Sequence, residues 1–445
     1  MDDPTRAPAP VSRREAFLFW LKLGFISFGG PAGQIALMHA ELVERRRWLS
    51  EQRFLHALNY CMLLPGPEAQ QLATYIGWLM HRTWGGVVAG VLFVVPSLCM
   101  LIGLSWLYMA YGHLPWVAGV FYGLKPAVTA IVLQACVRIG ARTLHSRWHW
   151  AIAGTAFLAM LALACPFPLI VAAAAVTGYL GSRLAPEAFS APAPRGVAGT
   201  MRTRALLDDD SPPPAHTRFS WRGLRRVLLA GLALWCLPMG LLYALHGWHH
   251  ALTQMGWFFT KAALLTFGGA YAVLPYVHQG VVDHYGWLSS TQMMDGLALG
   301  ETTPGPLIMV VAFVGFVAGH AQALFGPQAL FMAGAVAACV VTWFTFLPSF
   351  LFILAGGPLV ESTQHEIRLT APLSAITAAV VGVVLNLALF FAQHTFWPDG
   401  LAGRFDAVSA LMAVAAGVAL LRYRRSVLQV LLACALTGLV LVWLR

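Results

Sequence analysis

The chain contains one pattern twice, and the second copy follows at a constant offset of 239 residues, as from Phe19 to Phe258. No gap interrupts this stretch of the match. The matched residues of the first copy are Phe19, Lys22, Phe28, Gly29, Gly30, His39, Trp48, Leu49, Ser50, Pro65, Gly66 and Pro67. Their counterparts are Phe258, Lys261, Phe267, Gly268, Gly269, His278, Trp287, Leu288, Ser289, Pro304, Gly305 and Pro306. The chain must therefore fold as two related halves.

Composition places those halves in a membrane. Hydrophobic residues make up 59% of the chain and charged residues 10%, with a mean hydropathy of +0.70. Its apolar runs approach the ~20 residues that cross a bilayer. A polar start up to Val11 and a long apolar stretch from Ala16 do not match a cleaved signal peptide. Two related halves in a membrane are typical of secondary transporters, which bind their cargo between the halves.

The net charge of +10 is distributed as in a membrane protein, so we expect no nucleic-acid partner. Arginines cluster at the ends of apolar segments, for example at Arg45–Arg47 and Arg422–Arg425. This is the pattern of loops that stay on the cytoplasmic face. There are only three lysines, and each falls inside an apolar segment: Lys22, Lys125 and Lys261.

The sequence predicts an all-α polytopic membrane protein with two inverted repeats of about six apolar segments each. One extra transmembrane helix between the repeats would present the second half upside down, and residues 250–360 accordingly contain no arginine. The amino terminus would then be cytoplasmic. The predicted parts are a cytoplasmic tail (1–15), the first repeat (16–183), a cytoplasmic linker (184–222), the extra helix (223–247) and the second repeat (248–445). We expect the linker to have no fold of its own, because it is polar and rich in proline.

Glycine and proline interrupt four of the apolar segments, in matched positions. Broken or re-entrant helices are tolerated at membrane depth only where they are buried in protein or line a wet cavity. The helix amino termini that such breaks expose attract anions. The predicted substrate-binding residues at these breaks are Gly29, Gly30, Pro31, Gln34, Pro65, Gly66, Pro67, Gln70, Gly268, Gly269, Pro304, Gly305 and Pro306. The alternative is a set of proline kinks or close helix contacts, which are frequent in membrane helices.

Lysines near the breaks could supply positive charge to the same site. Lys22 and Lys261 precede their glycine pairs by about two helical turns, which predicts a common face. Lys125 lies deep in its own segment, before Pro126. A buried ammonium would attract an oxyanion. The alternative for Lys22 is that its long stem reaches the lipid headgroups.

Two carboxyl groups flank the Pro-Gly-Pro breaks and are candidates for proton coupling. Glu68 follows the first break and Glu301 precedes the second. An isolated carboxyl in a low-dielectric site tends to hold a proton, which suits this role. The alternative for Glu68 is a favourable interaction with a helix amino terminus. Asp295 is a lesser candidate in the same segment as Glu301.

The sequence lacks the signals of an enzyme. Ser27 lies in a Gly-rich stretch, but the spacing differs from a serine-hydrolase elbow and no strand precedes it. The pattern of a phosphate-binding loop is absent, as are paired cysteines and metal-ligand clusters. We therefore expect no cofactor and no catalytic residue.

The motifs together resemble the chromate ion transporter (CHR) family, long-chain two-domain type. They are Phe28-Gly-Gly-Pro31 with Gln34, Trp48-Leu-Ser50, Leu64-Pro-Gly-Pro67 with Gln71, Phe267-Gly-Gly-Ala270 and Thr303-Pro-Gly-Pro306. The resemblance implies export of chromate across the bacterial inner membrane, and hence chromate resistance. Because Ala270 replaces Pro31 and Val273 replaces Gln34, we expect the two half-sites to differ.

Several alternatives stay open at this point. The cargo could be sulfate or another oxyanion moving inward, since chromate and sulfate are tetrahedral dianions of similar size. A passive channel and a membrane-embedded enzyme are further alternatives. The expected partners are the oxyanion and the lipid bilayer, and the oligomeric state is open between monomer and homodimer.

Overall fold

The computed structural model describes residues 8–184, 204–208, 214–362 and 370–444. Within these ranges the fold is all-α, with sixteen α-helices and no strand. The helices of the first half are α1 (Arg13–Ile26), α2 (Gly30–His39), α3 (Glu51–Leu63), α4 (Glu68–Tyr111), α5 (Pro115–Thr143), α6 (Arg147–Leu163) and α7 (Phe167–Leu184). The others are α8 (Trp221–His246), α9 (Ala251–Leu264), α10 (Ala270–His278), α11 (Ser290–Thr302), α12 (Val310–Ala321), α13 (Leu330–Ser362), α14 (Thr370–Phe396), α15 (Ala407–Leu421) and α16 (Val427–Leu444).

The first Gly-Gly motif turns the chain back on itself. Gly29 and Gly30 have φ angles of 91° and 67°, which glycine adopts without steric cost, and they separate α1 from α2. The chain then returns toward the start of α1. Arg46 pairs with Glu15 of the first turn at 3.4 Å, and the Trp48 ring packs on the Phe19 ring at a centroid distance of 4.8 Å. We call the end of the molecule at which α1 begins the near end. Helices α1 and α2 therefore form a hairpin that folds back toward the near end.

The first Pro-Gly-Pro motif forms a second re-entrant hairpin. Helix α3 leads inward to the break at residues 64–67, and the first arm of α4 leads back. The backbone of α4 departs from helical geometry at His81 and Arg82, so the arm 68–80 folds against the arm 83–111. The His81 ring lies 2.9 Å from the Val11 carbonyl, which fixes this turn at the near end.

The second half reproduces these elements one by one. Each α2-type helix continues into a six-residue π-helical turn, at Ala40–Arg45 and at Gln279–His284. Even single hydrogen bonds recur. The Trp48 amide donates to the Leu42 carbonyl at 2.7 Å, and the Trp287 amide donates to the Val281 carbonyl at 2.8 Å. The sequence duplication is therefore a structural duplication.

The two halves are joined at their breaks by reciprocal hydrogen bonds. The Gly66 amide donates to the Thr266 carbonyl at 2.7 Å, and the Gly305 amide donates to the Ser27 carbonyl at 2.9 Å. Gly66 and Gly305 are counterparts in the repeat, as are Ser27 and Thr266. The Pro-Gly-Pro turn of each half thus pairs with the Gly-Gly turn of the other, which is a contact of two-fold type.

Long helices complete each half. Seven described helices are long and apolar enough to cross a membrane, namely α4, α5, α7, α8, α13, α14 and α16.

The second arm of α4 runs antiparallel to α13, since Gly90 faces Phe350 and Trp106 meets Phe331 at 6.1 Å. Helices α5 and α14 pack on each other, α5 on α15 and α16, and α14 on α6 and α7. We call α1–α4 and α8–α13 the hairpin body, and α5–α7 and α14–α16 the scaffold body.

Part of the linker is ordered against the first half. Leu206 and Leu207 donate their amides to the carbonyls of Arg47 and Trp48 at 2.9 and 3.1 Å. Ser50 returns a bond to Leu207 at 3.1 Å. This short bridge holds Leu206 and Leu207 against the first half. Asp209, Asp210 and Pro212–Pro213 of the linker lie outside the described residues.

The Pro-Gly-Pro turns, with the Gly-Gly turns to which they bond, are called the crossed breaks. We expect alanine in place of either glycine of the Pro-Gly-Pro turns to destabilise the fold. Gly66 and Gly305 have φ angles of 128° and 105°, and an added Cβ would collide with Ser349 and Ser97 respectively. Such strain costs about 1–3 kcal/mol. Thermal unfolding in detergent should show a lower midpoint for G66A and for G305A.

The matched control for this measurement is G103A. Gly103 lies in α4, and its added Cβ would meet nothing within 4 Å. An unchanged midpoint for all three variants would contradict the strained geometry of the breaks.

Candidate functional site

A cavity of about 820 Å³ lies between the first-half helices of the hairpin body and the scaffold body. Helices α2 and α3 form one wall, and α5 and α14 form the other. His39, Glu44 and His145 line its mouth at the near end. The cavity extends inward to Glu68 and to the Gly-Gly motif of the second half, so it joins the near end to the region of the breaks.

The inner end of the cavity is built from helix starts. Gly268 and Gly269 have φ angles of 78° and 96° and precede α10, while Pro31 lies in the first turn of α2. Glu68 is the first residue of α4, and its Oε1 lies 3.6 Å from where a Cβ on Gly269 would stand. Amino termini of helices carry unpaired N–H groups and a partial positive charge. This end of the cavity therefore combines the partial positive charge of helix amino termini with the carboxyl group of Glu68.

Two arginines of α5 line the scaffold wall. Arg138 and Arg142 are one helical turn apart and both face the cavity. Arg142 interacts electrostatically with Glu68, and Arg138 with Glu301. The hydroxyl of Tyr271, which also lines the cavity, donates to Glu301. The predicted carboxyl groups Glu68 and Glu301 thus lie on the cavity or one hydrogen bond from it.

Glutamines occupy the crossed breaks in the first half only. The Gln34 amide donates to the carbonyls of Gly305 and Ser27, and the Gln71 amide donates to the Pro65 carbonyl at 2.8 Å. Gln70 is buried and donates to Thr74 at 3.0 Å. In the second half, Val273, Met309 and Val310 occupy the positions that correspond to Gln34, Gln70 and Gln71. The two half-sites therefore differ in chemistry.

The predicted lysines lie away from the cavity. Lys22 is exposed, and the Lys261 ammonium lies 5.7 Å from the centre of the Trp257 ring. Lys125 interacts with Asp295, which accepts a hydrogen bond from Tyr108 at 3.0 Å. Helices α1 and α9 end at Ile26 and Leu264, before their glycine pairs, so Lys22 and Lys261 share no helical face with those glycines.

Arg138 and Arg142 were not predicted as site residues. They lie in the last two turns of α5, where arginine also serves to set membrane orientation. The one signal available in the sequence is their spacing of four residues, which places both on one helix face. Only the packing of α5 shows that this face lines a cavity. In the described residues we find no group of three or more histidine, cysteine or acidic side chains that could hold a metal ion.

The cavity lies beside α2 and α3 of the first half. In the second half, α10 packs on α14 and α11 packs on α5, which closes the corresponding space. Leu55 of α3 is 40% exposed in the cavity, whereas its counterpart Met294 of α11 is 1% exposed. Leu58 and Leu297 differ in the same way, half-buried against buried. The described state is therefore open at the near end and closed at the opposite end.

Comparison with known proteins agrees with this duplicated architecture. The sequence profile of the chromate transporter family matches residues 14–179 and 253–439, once in each half. The chain belongs to the chromate transporter family. It is a multi-pass membrane protein, and the predicted resemblance is confirmed.

Relatives with the name chromate transport protein match over nearly the whole chain. That of Pseudomonas aeruginosa is 32% identical over 97% of this chain and 93% of its own length. That of Cupriavidus metallidurans is 28% identical over 96% and 92% respectively. A probable chromate transport protein of Synechococcus elongatus is 29% identical over 86% of each. No solved structure matches the chain.

We expect a cysteine at position 55 to react with a membrane-impermeant maleimide, because Leu55 lies in an open cavity. In a cysteine-free background, L55C should label much faster than M294C, whose side chain is packed. Labelling rates in detergent and in oriented vesicles provide the measurement. Equal rates for the two counterparts would contradict the one-sided cavity.

Proposed function

We propose that this protein is a secondary transporter, not an enzyme, that exports chromate across the bacterial inner membrane and so confers chromate resistance. One observation carries the proposal: a cavity open at one end leads to helix amino termini and two arginines. Membership of the chromate transporter family supports an oxyanion cargo. The near end is proposed as the cytoplasmic end, because Arg45–Arg47 and the start of α8 with Arg222, Arg225 and Arg226 lie there.

The membrane potential suffices to drive this export. Each elementary charge gains about 2.3 kcal/mol per 100 mV, so an outgoing dianion gains about 4.6 kcal/mol across an inside-negative membrane. That free energy corresponds to more than three decades of concentration. Import of sulfate through the same site would work against this term and would need additional coupled protons.

Alternating access through inverted repeats is the proposed mechanism. The reciprocal hydrogen bonds at the breaks and the antiparallel course of α13 against α4 support an inverted relation of the halves. If the halves exchange conformations, α2 and α3 pack on the scaffold body while α10 and α11 leave it. The cavity then closes at the near end and opens at the opposite end.

The substrate site is proposed at the inner end of the cavity. Gly29, Gly30 and Pro31 precede or start α2, and Gly268 and Gly269 precede α10, so both helix starts face the space for the anion. The Pro-Gly-Pro turns and Gln34 hold these starts in place through their cross-repeat bonds. We further propose Glu68 and Glu301 as the groups through which a proton gradient acts on transport.

Flux in inside-out vesicles tests the proposed export. Radioactive chromate should enter the vesicle lumen saturably, and a lumen-positive potential should accelerate its entry. A pH gradient should change this rate in the wild type and not in the E68Q or E301Q variants. Vesicles without the protein are the control.

Other outcomes would identify the rival functions. A flux that does not saturate would indicate a channel, and expression that raises cell-associated chromate would indicate an importer. Absence of chromate flux in sealed vesicles that hold the folded protein would refute the proposal.

A further inference from the structure

We propose that Arg138 and Arg142 bind the oxyanion and connect it to the scaffold body. This inference rests on the proposed function, since it identifies the charged groups of that same site. The lysines predicted from the sequence do not line the cavity. Other groups must therefore balance the charge of an oxyanion bound there. Two guanidinium groups of α5 provide this positive charge.

Position favours this role. Arg138 and Arg142 lie on one face of α5 and on the wall opposite α2 and α3. Pro31 and Gly269, at the two helix starts, line the same space. An anion in this space would meet helix amino termini of the hairpin body on one side and guanidinium groups of the scaffold body on the other.

The chemistry of the guanidinium group also favours oxyanion binding by these arginines. A guanidinium presents parallel N–H donors that match two oxygens of a tetrahedral oxyanion, and these charge-assisted bonds are stronger than neutral ones. Two arginines balance the double charge of chromate or sulfate. Neither arginine forms an ion pair within 4 Å in the part of the chain that the structure describes. Their donors are therefore available to a ligand.

Carboxyl groups also lie near these donors. Glu68 lines the same cavity as Arg142, and Glu301 accepts a hydrogen bond from Tyr271, which also lines it. In the described residues neither carboxyl group lies within 4 Å of an arginine of this pair. A dianion that binds the arginines must do so beside these negative groups. Neutralising Glu68 should therefore strengthen anion binding, whereas neutralising either arginine should weaken it.

Binding at this place also explains how cargo could promote closure. The anion would contact both bodies only if α5 and the breaks come together, so it favours a state in which the cavity is narrower. An anion held by the hairpin body alone would have no such effect. The arginines thus link occupancy of the site to movement of the two bodies.

Equilibrium binding to the purified full-length protein in nanodiscs tests the assignment. The probes are radioactive sulfate and radioactive chromate. We expect R138Q and R142Q each to weaken binding by about tenfold or more, the range for a lost charge-assisted hydrogen bond. R138K and R142K should bind with affinities between those of the wild type and the glutamine variants, because lysine keeps the charge but lacks the parallel N–H donors of arginine. E68Q should bind more tightly than the wild type.

Arg147 provides the matched control. It is exposed at the start of α6, close to the same end of the molecule, and does not line the cavity. R147Q should therefore bind like the wild type. Gel filtration and thermal unfolding identify variants that have lost the fold, and the lysine variants then decide the question.

The outcomes separate this inference from the proposed function. If R138Q and R142Q bind as tightly as R147Q while the wild type transports chromate, the arginine site is refuted and chromate export stands. If the folded wild type neither binds nor transports chromate, the proposed function fails. If it binds and transports sulfate alone, the arginine site stands with another cargo.

Discussion

The structure depends on the rule that backbone polar groups at membrane depth must find partners. Four helix breaks leave such groups exposed, and the fold satisfies part of them across the duplication. The Gly66 amide reaches the Thr266 carbonyl, and the Gly305 amide reaches the Ser27 carbonyl. Because each half completes the breaks of the other, the four re-entrant hairpins form one body. In the proposed mechanism, this body moves as a unit against the scaffold body.

The cavity exists because corresponding helices of the two halves pack differently on the scaffold body. Helices α10 and α11 pack on the scaffold body, whereas α2 and α3 stand apart from it. Related sequences can adopt both arrangements, which is what two states of a transporter require. Charge is also placed unequally, since Arg138 and Arg142 belong to the scaffold and the helix starts belong to the hairpin body. A dianion between them would interact with both.

Sequence reasoning predicted the parts that depend on local chemistry. The duplication, the membrane setting, the broken helices at Gly29-Gly30 and Pro65-Gly-Pro67 and the extra helix at residues 221–246 correspond to observed elements. The placement of side chains needed tertiary packing. Lys22 shares no helical face with Gly29 once α1 ends at Ile26, and Arg138 and Arg142 resemble ordinary charges at a membrane interface. Only the position of α5 across from α2 and α3 distinguishes them.

The distance across the cavity tests the central claim, that the two bodies move against each other. Spin labels at Leu55 of α3 and Thr377 of α14 would stand on opposite walls. Pulsed electron paramagnetic resonance in nanodiscs should show a second, shorter distance whose population increases with chromate. A single unchanged distance in a protein that transports chromate would contradict the account.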